Sequence, residues 1–132
     1  MIRIVRLGTS RAPSEGPRLG TVRRPPRGVP KARYAPDNGY DAWLPDLAPS
    51  DALLKQGLRA QSAKDWAVFA KKYRKEMSAP EKARLLDLLA LLSQTTNFSV
   101  GCYCEDESRC HRSVLRELLA ERGGLLSTST AA

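Results

Sequence analysis

Hydrophobic and polar residues alternate at the start of the chain, where Ile2 and Ile4 flank Arg3. This period of two is typical of a strand with one more polar face. Residues 18–23 predict a second short strand. It must end before the proline pair at positions 25 and 26, because proline cannot donate a hydrogen bond to a sheet and restricts the residue before it. The first quarter of the chain therefore predicts two strands joined by a loop.

The middle of the chain has helical periodicity. Residues 62–77 predict the clearest helix, because apolar residues recur there at helical spacing after Ser62, a suitable N-cap. A shorter helix is predicted to begin at Ser50 or Asp51 and to present Leu53, Leu54 and Leu58. A capping-box pattern at residues 78–81, with proline in the first turn, opens a third helix whose leucines between positions 85 and 92 lie almost all round it. That helix is expected to be deeply buried, or half buried and half in a homodimer contact.

The last part of the chain predicts a strand, a loop and a helix. Residues 98–103 are an apolar run typical of a buried strand. Apolar residues between positions 114 and 119 share one helical face, and two glycines at 123 and 124 end the helix. The predicted fold class is α/β: a small, mainly parallel sheet with helices packed on its faces, in a single domain over residues 1–124. Residues 125–132 are expected to be a disordered tail.

Residues 34–50 are rich in turn formers and contain Trp43 and Leu44. Both side chains are predicted to anchor the core. The alternative for Trp43 is stacking on a nucleic-acid base, for which an indole face is well suited.

Length and composition limit the class of protein. The chain has 132 residues, 42% of them apolar, which suits one domain with one core. It has no apolar run of about 18 residues, so no membrane span is expected, and its apolar N-terminal stretch is too short for a signal peptide. A cytoplasmic location is expected. Because the cytoplasm is reducing, the three cysteines are expected to be free thiols or metal ligands rather than disulfides.

The net charge of +8 is concentrated at one end of the chain. Residues 1–36 contain nine basic side chains and one acidic one, whereas residues 37–132 contain 13 of each. This asymmetry predicts an anionic partner, either a phosphate-bearing ligand or a nucleic acid. The alternative is a solvated, arginine-rich surface without a partner.

All three cysteines and the only histidine lie within residues 102–111. The stretch spans the end of one predicted strand and the start of a helix, where ligands bind in open α/β sheets. Cys110, at the helix N-terminus beside His111 and Arg112, is a candidate thiolate. Cys104 is a candidate nucleophile with His111 as its proton carrier. Cys104, Cys110 and His111 are therefore the candidate catalytic residues.

Two other interpretations of the cysteines stay open. Three thiolates and an imidazole suit zinc, but the C-x-C-x5-C-H spacing argues against it, because adjacent Cys110 and His111 can rarely reach one ion. The cysteines can also be small buried thiols with a structural role. A disulfide between Cys102 and Cys104 is awkward, since their Cα atoms would lie about 6.6 Å apart on a strand. All three thiols are expected to be reduced, with no metal and no cofactor.

The basic loop, defined here as residues 23–31, follows the second predicted strand. In a parallel sheet it would emerge at the same edge as the cysteine stretch. Arg23, Arg27 and Lys31, together with Arg112, are therefore predicted to bind a phosphate-bearing anion. Two functions follow: a small thiol- or histidine-dependent enzyme acting on a phosphate-bearing or nucleotide-like substrate, or a non-catalytic nucleic-acid-binding module.

Three segments carry a resemblance to a known family: residues 41–50, residues 66–77 and the Cys-His-Arg triplet at 110–112. In this order they resemble the YeaO-like branch of a bacterial domain-of-unknown-function family, number four-eight-eight, over residues 2–119. The resemblance implies a small α/β domain. It also aligns Arg23, the Pro-Arg-Gly triplet at 26–28 and Lys31 with the family's basic loop, and the triplet at 110–112 with its C-terminal motif.

The chain departs from that family in its basic loop. The family has Val-Asp-Arg before a Trp-Pro-Arg-Gly motif, whereas this chain has Thr-Val-Arg at residues 21–23 and Pro25 in place of the tryptophan. A family acid is therefore missing here. The resemblance carries over no reaction, so it indicates the fold and the place of the site but leaves the chemistry open.

Overall fold

One parallel sheet of four strands organises the described part of the chain, residues 1–127 of a computed structural model. The strands are β1 (Ile2–Arg6), β2 (Arg18–Gly20), β3 (Ala42–Trp43) and β4 (Phe98–Cys102). Their order across the sheet is β1-β4-β2-β3, and each neighbouring pair is parallel. The chain is therefore an α/β protein with a small parallel sheet, as the hydrophobic pattern predicts.

Four helices accompany the sheet: α1 (Asp51–Leu58), α2 (Ala63–Met77), α3 (Pro80–Leu92) and α4 (His111–Glu121). All four were expected from the sequence, and α1 and α2 begin at predicted N-cap residues. The capping box predicted for α3 is wrong, because the N-cap of α3 is Ala79, which makes no side-chain cap hydrogen bond, and Ser78 ends α2 instead. The Ser50 side chain accepts a hydrogen bond from Leu53 N, Ser62 forms a capping box, and Pro80 opens α3. No helix among residues 1–127 is long and apolar enough to cross a bilayer. Three short 3-10 helices complete the secondary structure: Lys31–Arg33, Pro45–Leu47 and Glu107–Arg109.

Strand β3 is absent from the sequence-based prediction. It has only two residues and lies in a turn-rich stretch, so no periodic pattern marks it. Hydrogen bonds from Asp41 N to Arg18 O and from Leu44 N to Gly20 O, each 2.8 Å long, place it beside β2. The prediction that Trp43 anchors the core is wrong, because its side chain is 45% exposed at the edge of the sheet.

The buried side chains form two clusters on opposite faces of the sheet. Ile2 and Ile4 of β1 belong to the larger cluster, which takes residues from all four helices. Val5, with Leu7 beyond the strand, belongs to the smaller cluster, as the alternation of side chains along a strand requires. That smaller cluster consists of Val5, Leu7, Val22, Tyr40, Cys102 and Cys110, with Tyr34 and Tyr103 packed against it. Loop residues rather than a helix therefore cover the second face.

The C-terminal segment beyond α4 returns to the first strand. Ile2 N donates to Leu125 O at 2.6 Å, and Ser127 N donates to Ile2 O at 2.7 Å. These bonds extend the sheet edge beside β1 as far as residue 127. The remainder of the predicted tail, residues 128–132, lies outside the described residues.

Candidate functional site

The pairing of β2 with β4 brings together two loops that are far apart in the sequence. Thr21, the residue after β2, donates to Gly101 O from both its backbone N (2.9 Å) and its hydroxyl (3.0 Å). Cys102 ends β4 immediately afterwards. The basic loop and the cysteine stretch therefore start side by side at one edge of the sheet, as the parallel arrangement predicts.

His111 is held between Thr21 and Cys110. Its Nε2 lies 2.8 Å from the Thr21 carbonyl oxygen and 3.1 Å from the Thr21 hydroxyl. Because a carbonyl only accepts hydrogen bonds, Nε2 carries a proton and donates it to Thr21. The other ring nitrogen, Nδ1, lies 3.7 Å from Cys110 Sγ. The ring is buried and packs 5.6 Å from the Tyr73 ring, so its orientation is fixed.

Cys110 is the N-cap residue of α4 and is only 3% exposed. Arg112 donates from Nε to Cys110 Sγ at 3.4 Å and from a terminal nitrogen to Cys104 O at 2.6 Å. The pKa of Cys110 is lowered, because hydrogen bonds from Cys102 and Cys104, supported by His111, outweigh the opposing effect of burial. The arrangement favours a thiolate on Cys110.

The pKa values of the other two thiols, Cys102 and Cys104, shift in the opposite direction. The Sγ atoms of Cys102 and Cys104 lie 3.6 Å apart. Hydrogen bonding with Cys104 and Cys110, together with burial, raises the pKa of Cys102. The bond with Cys102 lowers the pKa of Cys104, but the bond with Cys110 and burial outweigh it, so that pKa is raised as well. These opposite shifts favour ionisation of Cys110 over that of Cys102 and Cys104.

The thiol corner, defined as Cys102, Cys104, Cys110, His111 and Arg112, has an exposed side. Cys104 is exposed, whereas the other four residues are buried. Cys104, Cys110, His111 and Arg109 line a small cavity of about 50 Å³ whose remaining wall comes from α1, α2 and Pro49. Cys104 is therefore the thiol of this corner that solvent reaches.

The same residues include one possible set of metal ligands. The ligand atoms of Cys102, Cys110 and His111 lie within 4.8 Å of one another. Adjacent Cys110 and His111 therefore do face a common point, contrary to the expectation from their spacing. However, the Arg112 guanidinium bonds directly to Cys110 Sγ, and its fixed positive charge beside the sulfur disfavours a dication. That contact favours a thiolate–cation pair over a metal, and the expectation of no metal stays a prediction.

The four predicted anion-binding residues occupy different environments. Arg23 donates to the carbonyls of Pro45, Ala48 and Pro49 at 2.9–3.1 Å, so it fastens the basic loop to the segment before α1. Arg112 is buried within the thiol corner. Arg27 and Lys31 are exposed, and within residues 1–127 neither side chain has a hydrogen bond or ion pair. The structure thus leaves two of the four cations available to a ligand, and the anion site stays a prediction.

Most of the other basic residues near the N-terminus also have protein partners. Arg18 is fully buried and bonds to Glu15 at 2.5 Å, which neutralises its charge inside the fold. Arg11 pairs with Asp41 at 2.8 Å. Weaker, more exposed ion pairs hold three further arginines, Arg6, Arg24 and Arg33. Much of the positive charge that predicts an anionic partner therefore stabilises the protein's own loops.

Two residues of the site could not be identified from the sequence. Thr21 orients His111 only because β2 pairs with β4, which brings residues 90 positions apart into contact. Arg109 reaches the cavity from a 3-10 helix that has no sequence signature. Val22, which stands where the resembled family has an acid, is buried in the smaller cluster.

Comparison with known proteins gives one match. A family model described as the active DUF488-N3 subclade matches residues 2–123, which is nearly the whole chain. The searches of curated proteins and of solved structures found no match. The resemblance noted in three sequence segments is thereby confirmed at the level of the family.

Proposed function

Since the chain belongs to the DUF488 family, we propose that it is a small thiol-dependent enzyme acting on a phosphate-bearing or nucleotide-like substrate. The family model that matches it is described as an active subclade, which supports catalysis over simple binding. The proposal rests on one geometric observation: Cys110 Sγ lies between the Arg112 guanidinium at 3.4 Å and His111 Nδ1 at 3.7 Å.

This geometry supplies the parts of nucleophilic catalysis. A thiolate is the reactive form of cysteine, and the positive charge of Arg112 stabilises it. His111 is oriented by Thr21, so its Nδ1 faces the sulfur. This is the relation of nucleophile, base and orienting group seen in cysteine-dependent enzymes. In that scheme Cys110 Sγ bonds to the substrate's electrophilic atom while the bond to the leaving group breaks and His111 Nδ1 gives that group a proton. Water, passing one proton back to His111, then hydrolyses the covalent intermediate, which releases the product and restores the Cys110 thiolate.

Cys104 has a separate role in the proposal. Its thiol is exposed at the entrance of the cavity, and its pKa is raised. It therefore remains a neutral hydrogen-bond donor that stabilises the Cys110 thiolate rather than a nucleophile in its own right. Its position also makes it the thiol that a substrate contacts first.

A phosphate group of the substrate would be bound by the exposed cations of the basic loop, Arg27 and Lys31. Neither has a partner among the described residues, so neither must break an internal bond to accept an anion. The paired arginines nearby favour this restricted site over the broad basic surface that a nucleic-acid-binding module needs. This difference is why the enzyme is preferred over the non-catalytic alternative.

The test is an ultraviolet titration of the thiolate, which measures ionisation without requiring access of a reagent. The wild-type protein should show the absorbance of one thiolate per chain at neutral pH. Cys110→Ser should abolish that absorbance, whereas Cys102→Ser, the matched control, should retain some of it. Folded protein without a thiolate at neutral pH, or an unchanged signal in Cys110→Ser, would contradict the proposal.

A further inference from the structure

A second cavity lies beside β3, the strand at the edge of the sheet. Its volume is about 590 Å³, within the range of small-molecule sites. We call it the aromatic pocket, because its wall contains Tyr34, Tyr40 and Trp43 together with Pro25 and Lys31. Two wall residues, Pro25 and Lys31, belong to the basic loop, so the pocket adjoins the cations left without partners.

Trp43 offers a fixed, uncovered aromatic surface in this pocket. Its indole Nε1 donates to Val22 O at 2.8 Å, which holds the ring in place. Even so, 45% of its surface is exposed. A large aromatic side chain that is anchored but uncovered can stack on a planar ligand without first losing conformational freedom.

Tyr40 adds a polar group without a partner. Tyr40 is only 3% exposed. Its hydroxyl oxygen is buried and has no hydrogen-bond partner among residues 1–127. Leaving such a group unpaired is unfavourable, and a ligand that bonds to it removes the penalty. Burial raises the pKa of Tyr40 to about 12, so the hydroxyl is a neutral donor at neutral pH. Nucleobases offer ring nitrogens and carbonyl oxygens as acceptors.

The charges around the pocket favour an anion. Asp41 also lines the wall, but its carboxylate accepts hydrogen bonds from the Arg11 guanidinium at 2.8 Å and the Arg18 backbone N at 2.7 Å. Lys31 has no such partner in the described part of the chain. The uncompensated charge at the pocket is therefore positive, next to a stacking surface.

We propose that the aromatic pocket binds a nucleoside monophosphate, with the base stacked on Trp43 and the phosphate beside Lys31. A flat, polar ring and an attached anion match the two features that the pocket combines. The inference rests on the proposed function, because it names a nucleotide as the class of ligand for that enzyme. It adds recognition of the base to the phosphate contact that the proposed function gives to Lys31.

Isothermal titration calorimetry with AMP, adenosine and inorganic phosphate tests this inference. The variants are Trp43→Ala, Trp43→Phe and Lys31→Ala, with Lys71→Ala as the control because Lys71 is an exposed lysine on α2. AMP should bind more tightly than adenosine or phosphate. Trp43→Ala should weaken AMP binding by about tenfold or more, whereas Trp43→Phe keeps an aromatic ring and should retain most of the affinity.

The lysine variants separate the two parts of the ligand. Lys31→Ala should weaken AMP binding several-fold and leave adenosine binding unchanged, and Lys71→Ala should change neither. AMP binding no tighter than phosphate binding, or an equal loss in Lys31→Ala and Lys71→Ala, would overturn the inference. Absence of AMP binding in a protein that retains the Cys110 thiolate would refute this site alone. A missing thiolate in a protein that binds AMP would instead refute the proposed thiol chemistry.

Discussion

Arg112 and Arg27 are both predicted from the sequence to bind an anion, but their surroundings differ. Arg112 is 3% exposed and bonds to Cys110 Sγ and Cys104 O. Arg27 is exposed and has no bond within the described part of the chain. A buried arginine that links two backbone segments holds the fold together, whereas an exposed one affects mainly what binds from solvent.

The first prediction compares these two arginines. Arg112→Ala should lower the free energy of unfolding by about 2 kcal/mol, because it removes the guanidinium bonds to the buried Cys110 Sγ and to the partly buried Cys104 O. Arg27→Ala should change it by less than about 0.5 kcal/mol, as is usual at the surface, while weakening phosphate binding. Urea denaturation and phosphate titration measure the two effects. Equal stability losses in both variants would show that Arg112 is not the buried link described here.

At the scale of the single element, the leucines of α3 lie in two different environments, although they belong to one continuous pattern in the sequence. Leu86 and Leu89 are buried in the larger core cluster, whereas Leu88 and Leu91 are 49% and 67% exposed. The helix is thus half buried, which was one of the two alternatives for its pattern. Whether its exposed half contacts a second copy in a homodimer stays a prediction.

The second prediction uses two leucines of this helix as a matched pair. Leu89→Ala should lower the free energy of unfolding by about 2–3 kcal/mol, because it leaves a cavity in the core. Leu91→Ala should cost less than about 0.5 kcal/mol, because its side chain lies mostly in solvent. The two values come from denaturation of the variants under identical conditions. A large loss in Leu91→Ala would show that this face is covered in solution.

At the scale of the whole molecule, two carboxylates held by arginines, the buried Glu15 and the more exposed Asp41, make the stability of the fold depend on pH. Burial acts to raise the pKa of Glu15, but hydrogen bonds from Arg18 and Ala12 lower it overall. Asp41 behaves in the same way, since the bonds from Arg11 and Arg18 outweigh its burial. Both carboxyls therefore take up protons more readily in the unfolded chain than in the folded protein.

The third prediction is an acid-induced loss of stability. The contribution of these carboxylates is present above their unfolded pKa values, and it falls as the pH drops below about 5. Glu15→Gln should flatten this dependence and lower stability at neutral pH by about 3 kcal/mol, because Arg18 is left buried without its counter-ion. Thermal melts of both proteins between acidic and neutral pH measure the effect. If the melting temperature of Glu15→Gln depends on pH as steeply as that of the wild type, the acid sensitivity belongs to other groups.

The fourth prediction is that the protein folds without a stoichiometric metal. Arg112 already places a positive charge on the cysteine cluster, so the thiolate does not need zinc for neutralisation. Elemental analysis should find well under one zinc per chain, and a chelator should leave the melting temperature unchanged. Bound zinc whose removal unfolds the protein would mean that Cys102, Cys110 and His111 are ligands instead.

The amino-acid sequence by itself determined the elements that depend on local patterns. Alternation in residues 2–6, helical spacing in residues 63–77 and the caps at Ser50 and Ser62 are short-range features, so they can be recognised without knowing the fold. The sequence also located the thiol corner, because its cysteines and histidine lie within ten residues. It missed β3, whose two residues pair only because β2 is already in place.

Only the tertiary structure decided how the chemistry is arranged. Pairing of β2 with β4 places Thr21 on His111, and burial of Arg112 turns a predicted anion ligand into the partner of Cys110. Tertiary contacts likewise occupy Arg23 with carbonyls and leave Lys31 free in the described chain. Arg23, Lys31 and Arg112 carry the same positive charge, so the charge pattern of the sequence does not distinguish them. What differs is which groups the fold brings within bonding distance, and contacts between residues far apart in the chain leave no periodic pattern in the sequence.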